Sequence, residues 1–342
     1  MIAKPGTEPV YDAIVIGAGP AGLAVANSLQ KKNINYLVIE RKFTGYNISR
    51  FPTCMTFFSS RELLEIDDFS LTVPDEKPSR EQYMTYLFHF ASKRKLHILD
   101  YTEVVSVIKV GSGFNVTIQT RDLNLKLLTA KSVVCAPGAI DDPQWLKVEG
   151  EDLPHVSHYF NEVYPYIGQK VLVVGSGNSA VEAALKLYRA GARVGFSYRK
   201  PSLNADKIKY WLFPDITKRF QKNEIRNFAS TSVKKIEPNR VTLQRKNEGE
   251  TDPEEFQVEA DFVLALTGYN PPIGFLKSMD IQLDETNHVP AHNPATLETN
   301  VAGLFVAGVV TGGNISGKVF IENSRHHGDL VAARVEEILK AG

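Results

Sequence analysis

The stretch Tyr11-Asp12-Ala13-Ile14-Val15-Ile16-Gly17-Ala18-Gly19-Pro20-Ala21-Gly22 runs from a β-branched apolar strand straight into a Gly-x-Gly-x-x-Gly turn. An amphipathic helix pattern follows from Leu23 to Lys32. A second apolar strand, Tyr36-Leu37-Val38-Ile39, is then closed by Glu40. Strand, glycine turn, helix and a strand ending in an acid, all within about 30 residues, form the βαβ dinucleotide-binding pattern. Each glycine has its own task. Gly17 allows the tight turn, Gly19 lets backbone approach a pyrophosphate, and Gly22 lets helix and strand pack closely. A pyrophosphate there rests against unpaired N–H groups at the positive end of the helix dipole.

The pattern recurs once. Lys170 to Val174 leads into Gly175-Ser176-Gly177-Asn178-Ser179-Ala180, a helix through Tyr188 and a strand Arg193 to Ser197. Gly17 and Gly175 are 158 residues apart, and the same offset carries Glu40 onto Tyr198. Glu40 suits an adenosine ribose and repels a 2′-phosphate. Tyr198 carries no such charge, and Arg199 and Lys200 after it suit the extra phosphate of NADP. Arg41 and Lys42 also follow Glu40, so the missing carboxylate is what distinguishes the two copies. A solvated basic turn is the competing reading of Arg199 and Lys200.

Composition bounds the rest. The 342 residues suffice for about two domains. Lys+Arg and Asp+Glu both number 39, so bulk charge gives no reason to expect nucleic acid or an anionic membrane as partner. No apolar run approaches a membrane span, and no secretory leader pattern opens the chain, so the expectation is a cytoplasmic protein. Two cysteines, Cys54 and Cys135, supply neither a disulfide framework nor a Cys-x-x-Cys pair. The eight histidines form no recognisable metal set, and no metal is expected.

Residues 98–136 read as short strands, the last ending in Cys135-Ala136-Pro137-Gly138; Phe262 to Tyr269 ends similarly in Thr267-Gly268. Such ends suit chain crossing beside a nucleotide, although ordinary strand punctuation reads equally well. Gly303 to Gly308 is a buried strand ending in glycine. A loop through Gly317 then opens a final helix from about Lys318 to Lys340, whose start can face the pyrimidine edge of a flavin. His326 and His327 lie on that helix and can reach the flavin edge, but a packed or surface histidine is the plainer reading.

Taken together, the sequence resembles the thioredoxin-reductase-like flavoproteins of the pyridine nucleotide–disulfide oxidoreductase superfamily, and within them the bacillithiol-disulfide reductase family. Phe51-Pro52-Thr53, Thr56-Phe57-Phe58-Ser59-Ser60, Leu64-Glu65-Ile66 and Gly175 to Ala180 carry the resemblance. It continues in Thr267-Gly268-Tyr269, Asn293 to Asn300, Gly308-Val309-Val310 and Phe320-Ile321-Glu322-Asn323. It implies FAD in the first site, NADPH in the second and a homodimer.

The expected fold is α/β, with two Rossmann-like, doubly wound dinucleotide-binding domains. The FAD domain takes 1–150 plus 286–342, and the NADPH domain is inserted at 151–285. The expected FAD residues are Gly17, Gly19, Pro20, Ala21, Gly22, Glu40, Arg41, Gly138, Gly308, Gly317 and Lys318. The expected NADPH residues are Gly175, Ser176, Gly177, Asn178, Ser179, Arg199, Lys200, Thr267 and Gly268.

Relatives that reduce bacillithiol disulfide commonly carry a cysteine directly after the loop proline; this chain has Ala21 there. Electrons can reach a disulfide through a thiolate or directly from flavin; Cys54 is the candidate catalytic thiol for the first route, with a buried or bystander thiol as the plainer reading, while Cys135, ending a buried strand, reads as structural. The expected reaction passes hydride from NADPH through FAD to a low-molecular-weight disulfide or another small electron acceptor. Two alternatives stand beside it: an NADPH-dependent flavin monooxygenase, whose full linker signature is absent around Gly150 to His158, and a flavin-binding redox sensor.

Overall fold

The computed structural model describes residues 10–245, 253–315 and 318–341. The chain divides into two compact units, Met1–Asp142 with Asn270–Gly342, and Pro143–Tyr269.

In the first unit a seven-stranded sheet runs in the order Ile98–Leu99, Tyr36–Ile39, Val10–Ile16, Leu125–Cys135, Gly113–Gln119, Glu103–Val110, and Leu304–Val306 also pairs Leu125–Cys135. Ile16 and Val306 are both in parallel register with Cys135. The strands from the two ends of the chain therefore finish level, next to the first glycine turn. Ile14, Val15, Val133, Val134 and Phe305 are fully buried, as expected of strands covered on both faces.

The helix Pro20–Lys31 begins with proline in its first turn, where a missing N–H costs nothing. It ends on Asn33 in the left-handed region (φ 55°), with Ile34 N–H donating to Leu29 O. At the same 158-residue offset, Gly191 (φ 92°) ends the helix Asn178–Arg189, and Ala192 N–H donates to Leu187 O. The two copies thus share their stop signals as well as their starts.

The second unit holds a five-stranded parallel sheet ordered Arg226–Phe228, Arg193–Ser197, Lys170–Val174, Phe262–Ala265, Val156–Ser157. A separate antiparallel sheet joins Thr231–Glu237, Arg240–Arg245 and Glu254–Glu259.

Three details differ from the sequence reading. The expected strands Leu123 to Leu128 and Val133-Val134 are one long strand, Leu125–Cys135, with Leu123 in the turn before it (φ 62°); its first half pairs antiparallel with Gly113–Gln119 while its second half runs parallel to Val10–Ile16. The units meet at Asp142/Pro143 and Tyr269/Asn270 rather than near 150 and 285. Leu146 and Val148 pack with Leu172 and Val174, whereas Leu276, Met279 and Ile281 pack with Cys135 and Val306. The final helix is split into Ile321–Ser324 and His327–Ala341.

Candidate functional site

Gly17 takes a φ of 103°, and a side chain there would bring its Cβ to 2.4 Å from Ala136 O. Gly22 is tighter still, with a Cβ placed 1.9 Å from Gly17 O. Gly19 is different. Its backbone is extended (φ −77°) and a Cβ would meet nothing within 4 Å. No side chain caps the helix Pro20–Lys31 behind it. Two glycines thus serve the fold, and the middle one borders open space at a helix N-terminus, which suits a pyrophosphate.

Glu40 reaches back to this loop. Its Oε2 accepts the Ala18 N–H at 2.9 Å and its Oε1 accepts the Lys42 N–H at 2.8 Å. Burial pushes its carboxyl pKa up, against the pull of both donors. Arg41 is committed elsewhere: its Nη2 lies 2.6 Å from Asp141 Oδ2, and Asp141 also pairs with Arg50.

The strand ends converge as well. Ala136 N–H donates to Ile16 O and Ala307 N–H to Cys135 O. Gly308 (φ 84°) faces Ala21, with a Cβ placed 2.8 Å from the Ala21 Cβ. Gly138 (φ 76°) would put a Cβ 2.5 Å from Asn47 Nδ2, which donates to Pro137 O. Asn47 Oδ1 is buried with no hydrogen-bond partner among the described residues, an open acceptor at the loop that the sequence reading missed. Nothing local in the sequence announces Asn47; its role comes from a contact 90 residues away.

His327 Nδ1 accepts the Gly308 N–H at 3.0 Å. Burial, followed by the nearby His292 and His326, lowers its pKa to about 4, so the ring is neutral. It holds the last strand's turn. Lys318 is exposed and lines an open cleft of about 540 Å³ with Asp284, Asn287 and His292. Gly317 lies outside the described residues.

The second copy repeats the first. A Cβ on Gly175 (φ 144°) would lie 2.3 Å from Leu266 O, as Gly17 lies under Ala136 O. Gly177 is extended, uncapped and open, as Gly19 is. Ala180, fully buried, takes the third glycine's place. Ser176 is exposed on the loop and Ser179 in the first turn of the helix. Thr267 Oγ1 donates to Gln144 O, and Gly268 O accepts the Gln144 N–H.

Where the first copy has an acid rim the second has none. Tyr198 is buried, and Arg199 and Lys200 are exposed with no ion pair among the described residues. Asn178 does not face open space: its amide binds the backbone at Lys207 and Lys209.

Of the two thiols, Cys135 is fully buried, its pKa pushed up to about 12, with Sγ 3.7 Å from Met279 Sδ. Cys54 is exposed, at a left-handed turn (φ 54°), and its N–H donates to Glu81 Oε1.

The chain matches the pyridine nucleotide-disulphide oxidoreductase family over residues 14–308. It belongs to that family. Bacilliredoxin reductase Bdr of Bacillus subtilis is 37% identical over 323 residues, covering 94% of this chain and 97% of that protein. The structure of bacillithiol disulfide reductase Bdr (YpdA) from Bacillus cereus superposes with a TM-score of 0.92 at 37% identity, covering 96% of this chain and 99% of that one. Its counterpart from Staphylococcus aureus gives 0.88 at 34%, covering 97% and 99%. This pyridine nucleotide-disulphide oxidoreductase is thus a member of the bacillithiol-disulfide reductase group. It is an oxidoreductase that uses a flavin and a pyridine nucleotide. Among the described residues, no helix is long and apolar enough to cross a membrane.

Proposed function

We propose that this chain is a FAD-dependent NADPH oxidoreductase that reduces a low-molecular-weight disulfide of the bacillithiol-disulfide kind, without a Cys-x-x-Cys pair, as a cytoplasmic homodimer. The contrast between the two rims carries the reading. Arg41 pairs with Asp141 next to a buried carboxylate, while among the described residues Arg199 and Lys200 have no ion-pair partner and no acid beside them. An unphosphorylated adenosine fits the first rim and a 2′-phosphorylated one fits the second.

On this assignment FAD is held by the Gly17 to Gly22 loop, Glu40, Gly138 and Gly308, with Asn47 Oδ1 as a further acceptor. NADPH is held by Gly175 to Ser179, Arg199 and Lys200, with Thr267 and Gly268 at the crossing. When bound, the flavin would supply two-electron transfer between the nicotinamide and the disulfide. The residues of this chain orient that exchange: the open glycines admit phosphate, Glu40 accepts from the ribose, and neutral His327 fixes the Gly308 turn.

Cys54 is proposed as the thiol that meets the acceptor, since Cys135 is sealed in the core. The names of the Bdr relatives support a disulfide acceptor. The test is steady-state reduction of bacillithiol disulfide, cystine and oxidised glutathione by NADPH and by NADH. The reading expects turnover with a disulfide and a preference for NADPH. Consumption of NADPH by oxygen alone, with every disulfide inert, contradicts it.

A further inference from the structure

A hairpin outside both glycine loops packs against the chain that follows the Gly308 turn. Leu283 and Pro290 bridge antiparallel, Asp284 N–H donates to Val289 O at 2.9 Å, and Ala291 N–H donates to Gln282 O at 2.8 Å. Asn314 N–H donates to Asn287 O at 2.7 Å, and a Cβ on Gly313 (φ 53°) would lie 2.3 Å from that same oxygen. Gly313 follows Gly308 by five residues. Gly308 in turn faces Ala21 of the first glycine loop and is held by His327. The hairpin is therefore seated directly on the segment that leaves the end of the last strand.

Hairpin residues and the pair Ile315 and Lys318 line one open cleft of about 540 Å³. Its polar groups have bonding capacity to spare. Asp284 Oδ1 accepts the Thr286 and Asn287 N–H groups, which leaves Oδ2 without a hydrogen-bond partner among the described residues. His292 Nδ1 lies 2.6 Å from Pro290 O; a carbonyl only accepts, so Nδ1 carries the hydrogen and Nε2 is the ring's open atom. Lys318 is exposed and makes no ion pair among the described residues. One acid and one cation thus line the same cleft without pairing, and exposed Ile315 adds an apolar contact.

Opposite charges held apart in one cleft match a ligand end that carries both signs. A cleft this open holds one end of a molecule and leaves the remainder outside. We infer that it docks the charged end of the disulfide acceptor, with Lys318 on a carboxylate and Asp284 on an ammonium. The inference rests on the chain reducing a low-molecular-weight disulfide. It concerns binding, whichever way electrons reach the acceptor.

Four small disulfides test it on the flavin-loaded full chain. Cystine carries both charges, cystamine the ammonium alone, dithiodiglycolate the carboxylate alone, and hydroxyethyl disulfide neither. Each is measured as a substrate under NADPH and as a ligand by calorimetry, in wild type, Lys318→Ala, Lys318→Arg and Asp284→Asn. Asparagine in place of Asp284 keeps the acceptor for both N–H groups and removes only the charge. Lys318→Ala is expected to raise KM and Kd about fivefold for cystine and dithiodiglycolate, the scale of one exposed ion pair. It should leave cystamine and hydroxyethyl disulfide unchanged, and Lys318→Arg should restore most of the loss. Asp284→Asn should weaken cystine and cystamine alone. Equal weakening of all four disulfides, or of none, overturns the inference. So does loss of flavin from Lys318→Ala, which gives the ammonium to FAD. If wild type turns over no disulfide but binds cystine with this charge dependence, the functional reading fails and the cleft stands. If disulfides turn over with KM values indifferent to both charges, the cleft fails and the functional reading stands. If wild type neither turns over nor binds any of the four, both fail.

Discussion

The Ala18 N–H donates to Glu40 Oε2 at 2.9 Å, which ties the end of the second strand to the first glycine loop across 22 residues. The acid that rims the pocket is therefore part of the loop's own bonding. Because burial raises its pKa, Glu40 takes up a proton at a higher pH than a free glutamate does. A raised folded pKa means that the apo fold gains stability as pH falls through it. Flavin affinity moves oppositely, since a protonated carboxyl loses an acceptor for the ribose. Flavin release on acidification should thus begin at a higher pH than a free glutamate would set, and Glu40→Gln should flatten both slopes. Fluorescence of released flavin and thermal unfolding across pH check the two slopes.

The glycines separate fold from ligand. Gly19→Ala and Gly177→Ala add a Cβ that meets no protein atom within 4 Å, at extended backbone that alanine accepts. Both variants should fold with unchanged melting temperature. Gly19→Ala should lose flavin, and Gly177→Ala should keep flavin and raise the KM for NADPH. Gly22→Ala, by contrast, drives a Cβ to 1.9 Å from Gly17 O and should destabilise the unit itself. Equal unfolding of all three variants would contradict the distinction.

His327 makes a prediction about acid stability. Its folded pKa of about 4 lies below the usual 6.5, so the fold disfavours the proton. Stability is lost progressively as pH falls from about 6.5 toward about 4. His327→Ala should remove this dependence and leave the buried Gly308 N–H unpaired, costing about 1–3 kcal/mol. Urea unfolding at several pH values reads both effects.

Cys54→Ser tests the acceptor step. The variant should keep anaerobic flavin reduction by NADPH and lose most disulfide turnover. Unchanged turnover removes the thiol from the route and leaves direct transfer to the disulfide.

The duplicated cradle was legible because its determinants are local: the glycine spacing repeats at one offset, and the acid that ends the second strand of the first copy is replaced by Tyr198 in the second. The burial of Cys135 was legible for the same reason, as the end of an apolar strand. Unit boundaries were not, because only long-range packing assigns Leu146 and Val148 to one core and Leu276 and Met279 to another. The grip of Asn178 on Lys207 and Lys209, and of His327 on Gly308, depends on backbone brought together by folding. Glycine-loop reading placed Asn178 at a phosphate, whereas the folded chain turns its amide to a neighbouring segment.

Anaerobic titration of the purified protein with NADPH and, separately, NADH tests the two-pocket account most directly. The account predicts a yellow protein whose flavin absorbance bleaches at a far lower NADPH than NADH concentration, with Arg199→Glu erasing that difference. A colourless protein that takes up no FAD, or a flavin bleached equally by both nucleotides, would contradict it.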